Sequence, residues 1–372
     1  MKLAVTIFAF CVAALLALGM VMLYSSSMAQ VGTRYLIMQS VWCGLGLAAC
    51  AGAALGDYRL LKKIWWLLLG LALVMLVLVL VRHIGVVRGH ARRWFNIGGI
   101  SFQPSEFAKL AIIIALAWYG EHYQRHMRTW KRGVIIPGFF IALSAGLLFK
   151  EPDVGNALLL ASVCGLMLLV AGIQLKYFLP PVIVATAAVV IFIANDSMRS
   201  DRVHAWLHVE ETKQDKGLQA YQAMVALGSG GIIGKGLGDG RQKLGFVPEH
   251  HTDFIFSIIG EELGLIATLL VVGAFVAIMI CGFWISVHAP DIFGLLLGSG
   301  LTFLIGMQAF INIGVVTSVL PNKGLPLPFI SYGGSNLLMM LTCVGIILSI
   351  ARRARAPETN SLGISAREAA PA

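Results

Sequence analysis

IWWLLLGLALVMLVLVLV, from Ile64 to Val81, contains no charged or hydrogen-bonding aliphatic side chain. A helix across the hydrocarbon of a bilayer needs about 20 mostly apolar residues, and this run supplies one span almost unaided. Similar runs recur along the chain. Approximate limits are 3–24, 34–56, 64–82, 104–120, 133–149, 154–172, 177–194, 254–286, 292–318 and 329–351. The sequence therefore predicts an all-α polytopic membrane protein of about ten transmembrane helices.

Composition agrees. Of 372 residues, 58% are hydrophobic and 12% charged, with a net charge of +10. A soluble domain carries roughly twice that share of charge. The six cysteines all lie in apolar runs, with no CxxC pair and no metal-ligand spacing to histidine; they read as small hydrophobes in packed helices. The segment from Leu3 to Tyr24 is longer than the apolar core of a signal peptide and reads as a retained first span.

An even number of spans puts both termini on one side. With the N-terminus inside, the inner segments hold Lys2, Arg59, Lys62, Lys63, Arg125, Arg128, Lys131, Arg132, Lys176, Arg352, Arg353 and Arg355. The short outer loops hold fewer basic residues, so the positive-inside rule supports this orientation. One outer loop, 195–252, is much longer than the rest. Its first part is polar and predicted to be partly helical; its second part is rich in glycine, which permits sharp turns and close approach. Residues 1–355 form one membrane domain, and 356–372 a short polar tail on the inner side.

Ionisable chemistry gathers at the outer helix mouths. Arg92, Arg93 and Trp94 sit outside, against the charge trend. They read either as headgroup anchors or as a phosphate clamp, for which the planar guanidinium is suited. Glu106 and Lys109 lie inside the fourth span on one helix face; ion pairs there are costly and mark function or a structural pairing. Asp153 is placed to cap the sixth span. Leu320 to Leu338 breaks the apolar pattern with prolines, glycines and Lys323. Irregular backbone at membrane depth needs a wet cavity or protein to satisfy it, so Ser331, Tyr332, Ser335 and Asn336 are expected to line a cavity.

The stretch FVPEHHTDFIFSIIGEELGL, Phe246 to Leu265, concentrates this chemistry. Asp253 reads as a helix cap, as part of a metal site with Glu249, His250 and His251, or as a catalytic carboxylate that takes a proton from a hydroxyl. Residue chemistry alone leaves cap and base open. Glu261 and Glu262 follow about 12 Å further along the helix and need basic or hydrogen-bonding partners across the bundle.

Taken in order, YSSS (24–27), ARRW (91–94), QPSEFAK (103–109), EPDVGNA (151–157), ALGSGGIIGKGLG (226–238), RQKLGFVPEHHTDFIFSIIGEELG (241–264) and LPNKGLPLPFISYGGSN (320–336) resemble the SEDS (shape, elongation, division, sporulation) proteins, polytopic peptidoglycan glycosyltransferases. The resemblance covers nearly the whole chain and is greatest to the cell-division branch; the elongation branch is the second choice. Gly240 stands where that branch has serine before RQKL, and His250 departs from the usual residue.

The resemblance implies ten spans and a catalytic Asp253. Arg92, Arg93, Lys109, Lys323 and Ser331 then become substrate-binding candidates, and Glu106, Glu249, His251 and Glu262 supporting ones. It implies lipid II as substrate, glycan carried on undecaprenyl pyrophosphate, and a bacterial cytoplasmic membrane at the division septum. The implied protein partners are a class B penicillin-binding protein and other division proteins. Membrane lipid is a further partner and nucleic acid is not one. A divalent cation, Mg2+ or Mn2+, is a candidate cofactor for the pyrophosphate, with no ligands assigned. A lipid II flippase is the alternative from another functional class.

Overall fold

The computed structural model describes residues 1–27, 32–88, 91–98, 100–212, 217–241 and 252–354. Among them, ten apolar helices match the sequence-derived spans. They are α1 (Lys2–Ser27), α2 (Arg34–Leu55), α3 (Leu61–Leu80), α4 (Pro104–His122), α5 (Ile136–Lys150), α6 (Val154–Val170), α7 (Leu175–Ala194), α10 (Ile255–Val287), α11 (Ile292–Val316) and α12 (Gly334–Ala354). Two shorter helices, α8 (Ser197–Leu207) and α9 (Leu218–Ser229), lie in the long loop.

Eight of these helices are long and apolar enough to cross a membrane unaided. α4 and α6 need the bundle. α4 carries Glu106, Lys109 and Glu121, and it is buried on nearly every face from Pro104 to Ala117. It lies against α3 and α11, so its polar atoms meet protein rather than lipid. α6, only 17 residues long, packs on α5 and α11. α7 is the opposite case: none of its residues is buried, although Phe178 lies beside Gly165 of α6 and Phe192 packs edge-on against Phe149 of α5.

Helix starts place the polar residues at one end of the bundle. Pro104 opens α4 after the extended Gln103; proline suits the first helical position because its missing N–H has no helical partner there. Asp153 caps α6 by accepting from the Asn156 amide, and Asp196 caps α8 by accepting from the Arg199 amide. At the opposite end, Asp291 caps α11 and also accepts from Tyr58 Oη at 2.6 Å and Arg59 Nε at 2.9 Å. Arg353 pairs with Asp57 on that same face. The turn 56–60 and the ends of α11 and α12 are thereby tied together.

One feature was not expected from the sequence. The loop before α4 is a three-stranded antiparallel meander, β1 (Val86–Arg88), β2 (Ala91–Ile97) and β3 (Ile100–Phe102). Trp94 pairs with Val86, and Phe95 with Phe102. A second feature is a break inside α10. Gly264 has φ +77°, a left-handed conformation that only glycine adopts cheaply. The amides of Leu265 and Ile266 leave the helical ladder there and donate to the carbonyls of Gly231 and Ile232 in the glycine-rich loop.

Candidate active site

The mouths of α2, α4, α6, α10 and α12, with β2 and α8, surround a cavity of about 1180 Å³. All its lining residues come from the end of the bundle that carries the long loop. Arg34, Tyr35 and Trp42 enter from α2, Arg93 and Trp94 from β2, and Asp153 and Asn156 from α6. Arg202 and Trp206, four residues apart on one face of α8, form the roof. Trp206 is pinned by its indole N–H donating to the Ser318 carbonyl at 2.9 Å. Asn322 Nδ2 donates to Gln219 Oε1 at 2.8 Å, joining α9 to the loop 317–333.

Asp253 lies in the wall of this cavity, half-buried. Its backbone is held from two sides. Asn312 Nδ2, on α11, donates to the Asp253 carbonyl at 2.8 Å and to the Leu325 carbonyl at 2.7 Å. Ser331 Oγ donates to the Thr252 carbonyl at 2.5 Å and accepts from the Leu327 amide at 2.8 Å. Both loops are therefore stapled to each other through α11. The residue capping α10 is Phe254, with no side-chain cap bond.

Below the cavity sits the intramembrane ion pair. Lys109 is fully buried and Glu106 nearly so. Lys109 Nζ donates to Glu106 Oε1 at 2.9 Å, Gln308 Oε1 at 3.0 Å and Asn156 Oδ1 at 3.1 Å. An ammonium has three N–H bonds, and all three are engaged. Asn336 Nδ2 donates to Glu106 Oε2 at 2.9 Å. Two cavity-wall amides, Asn156 and Asn336, thus end on the ion pair. Gln308 continues the network upward, donating to the Pro326 carbonyl at 2.9 Å.

The structure separates the basic candidates. Neighbouring residues on a strand face opposite ways, so only one of Arg92 and Arg93 can face the cavity. It is Arg93, whose Nε donates to the Glu151 carbonyl at 3.1 Å and whose Nη2 donates to the Pro152 carbonyl at 2.5 Å. Arg92 turns away and donates to the Leu80 carbonyl at the end of α3. Lys109, Lys323 and Ser331 do not line the cavity either: Lys109 is enclosed by its three partners and Ser331 is taken up by backbone. Lys323 is half-buried, and desolvation lowers its pKa from the ordinary lysine value. Glu151 is fully buried with no hydrogen bond to its carboxyl among the described residues. Burial, and secondarily Asp153, push it up to about 8, against the pull of Arg93.

Glu261 and Glu262 both find partners. Glu262 accepts from Ser25 Oγ at 2.6 Å and from the Gly238 amide at 3.2 Å. Glu261 accepts from Lys235 Nζ at 2.9 Å and the Arg241 amide at 3.0 Å. These bonds clamp the glycine-rich loop to α10 at its break. Gly234 comes so near that an added Cβ would lie 2.2 Å from the Glu262 carbonyl oxygen. Ser25 belongs to the YSSS segment of α1, which gives that motif a contact.

Glu249, His250 and His251 lie outside the described residues, as does the tail 356–372. Among the described residues no group of three histidine, cysteine, aspartate or glutamate side chains is placed to hold a metal ion. Gln308 and Asn312 were missed from the sequence, although they stand four apart as polar groups within an apolar span. Arg34, Arg202 and Trp206 carried no motif of their own.

The family model for the FtsW/RodA/SpoVE cell cycle proteins matches residues 5–356. The chain belongs to this family. A probable peptidoglycan glycosyltransferase FtsW from Geobacter metallireducens is 39% identical over 346 residues, covering 91% of this chain and 92% of that protein. Stage V sporulation protein E of Bacillus subtilis is 35% identical over 348 residues, covering 92% and 95%. Among solved structures, a chain of a peptidoglycan synthase complex that coordinates polymerization and crosslinking superposes with a TM-score of 0.78 at 29% identity, covering 94% of this chain and 98% of that one. The rod shape determining protein RodA of Thermus thermophilus gives 0.71 at 29% identity, covering 94% and 97%. FtsW/RodA/SpoVE membership and the apolar helices together make the chain a multi-pass membrane protein.

Proposed function

We propose that the chain is a peptidoglycan glycosyltransferase that polymerises lipid II, with Asp253 as general base. The observation that supports it most is Asp253, half-buried in the wall of a cavity that also carries Arg34, Arg93 and Arg202; of the two other aspartates there, Asp153 is engaged in capping α6 and Asp201 lies on α8. The acceptor is a sugar hydroxyl, which must lose a proton as its oxygen bonds to the donor's anomeric carbon. One carboxylate at hydrogen-bond reach does this. The bond that breaks is from that carbon to the lipid pyrophosphate, already a good leaving group, so no second carboxylic acid is required. Fixed positive charge stabilises the negative charge that develops. In-line attack with one base inverts the anomeric centre, by analogy with inverting glycosidases.

Arg93 is the guanidinium most firmly fixed. Arg93→Ala should lower turnover roughly tenfold to a hundredfold, the loss of about 1.5–3 kcal/mol for a hydrogen bond to a charged group. Arg93→Lys should recover part of it, because the fork that holds the 151–152 carbonyls is gone. Unchanged kinetics in the alanine variant would assign Arg93 to anchoring alone.

The cavity end is proposed to face outward and the basic end inward, with both termini cytoplasmic and the protein at the division septum. A class B penicillin-binding protein is the proposed cross-linking partner. A divalent cation, Mg2+ or Mn2+, is proposed to help neutralise the pyrophosphate, with its ligands unassigned; magnesium typically keeps several waters and bridges to phosphate.

Polymer formation in detergent tests the reading. Purified protein with its transpeptidase partner, lipid II and a divalent cation should make long strands, and a β-lactam that blocks the transpeptidase should not stop them. Micelles have no two sides, so translocation cannot yield polymer. No polymer under any cation or partner condition, together with lipid II movement across sealed vesicles, would transfer the assignment to a flippase.

A further inference from the structure

Gly324 touches the proposed base. It lines the cavity, is exposed, and has a φ that any residue adopts. A Cβ built on it would lie 2.5 Å from Asp253 Oδ2 and 3.5 Å from Asp253 Cγ, with no other described atom within 4 Å outside its chain neighbours. Ordinary contact begins near 3.4 Å. The carboxylate therefore occupies the space that any side chain at 324 would fill.

The turn that carries Gly324 is built not to yield. The Leu325 amide donates to the Lys323 carbonyl at 2.9 Å. The Leu325 side chain is fully buried and packs at Gly155, where α6 begins. Asn312 and Gln308 grip the carbonyls of Leu325 and Pro326. Asn312 grips the Asp253 carbonyl as well, so the distance between the two backbones is set by one side chain.

We propose that Gly324 is a positioning residue for Asp253: the absence of a side chain at this turn fixes where the carboxylate stands in the cavity. The proposal rests on the reading of Asp253 as the base. Two things can give when a methyl is added at 324. Moving the turn breaks several buried hydrogen bonds and leaves their partners orphaned. Turning Asp253 moves only the far end of a side chain about its own torsions and leaves both backbones in place. The carboxylate moves, by about 1 Å. Misplacement on that scale costs on the order of a hundredfold in rate.

The fold has no comparable reason for glycine here. With an ordinary φ and, among the described residues, only Asp253 in the way of the added methyl, alanine should leave stability unchanged or raise it slightly by restricting the unfolded chain. That contrast separates positioning from structure. Purified Gly324→Ala and Gly324→Ser would be assayed for lipid II polymerisation in detergent beside wild type and Asp253→Asn, with thermal unfolding measured on the same samples. The expected result is a kcat lower by roughly a hundredfold, KM within about twofold, and an unfolding midpoint at or above wild type for Gly324→Ala. Wild-type kcat in both variants would overturn the proposal. So would a fall in unfolding midpoint that tracks the loss of rate, since the glycine would then serve the fold. Polymerisation by Asp253→Asn would remove the underlying reading, whereas an inactive Asp253→Asn beside a fully active Gly324→Ala would remove this inference alone.

Discussion

Asp253→Asn is expected to abolish glycan polymerisation and to leave the fold unchanged. The two halves have separate grounds. The clamps on this segment grip main-chain carbonyls, Asp253 through Asn312 and Thr252 through Ser331, and asparagine keeps those carbonyls. Asparagine also keeps the capping ability of aspartate at a helix start, so the start of α10 should survive. Asparagine has nearly the shape of aspartate but no useful basicity. A positioned general base contributes typically 10²–10⁴-fold, and a loss of that size takes strand synthesis below detection. Thermal unfolding in detergent should match wild type. Near-wild-type polymerisation by the asparagine variant would deny Asp253 its catalytic part.

The ten spans were legible because each is a local signal. Runs such as Ile64 to Val81 exceed what a soluble core helix needs, and nothing distant alters that. The break in α10 was not legible. Gly264 sits in an apolar helix like many other glycines, and what bends it is the loop 231–241 arriving from outside to take its amides. The meander at 86–102 escaped because its strands are short. Once β2 is known, the alternation of strand side chains separates Arg93 from Arg92, which the sequence had paired as one clamp. Glu106 with Lys109 was legible from spacing alone. Their remaining partners come from residues 47 to 230 positions away, beyond any local pattern. Glu262 is the extreme case: its hydroxyl donor, Ser25, lies 237 residues earlier. Asp153 was readable as a cap, and its place in the cavity wall was not.

The second large effect is expected at Glu106 and Lys109. Removing one partner leaves the other charged and buried, at a cost of about 3–5 kcal/mol. Glu106→Leu and Lys109→Met should each lower the unfolding midpoint sharply. An isolated pair could be replaced by apolar residues at little cost, but this pair is not isolated. Its loss orphans Asn156, Gln308 and Asn336, each of which directs one amide atom at it. An unsatisfied buried polar group costs about 1–3 kcal/mol. The double variant should therefore be more stable than the worse single variant, yet remain below wild type. A double-mutant cycle should show a coupling well above the roughly 0.5 kcal/mol seen for independent sites. Activity should not recover with stability. Gln308 holds the Pro326 carbonyl, two residues from Gly324, and without the ammonium it loses the contact that orients it. The double variant should thus bind its partner and fold, but polymerise poorly. Additive losses in the cycle would mean that the two charges are not energetically paired. Full activity in a stable double variant would mean that the buried network serves the fold alone.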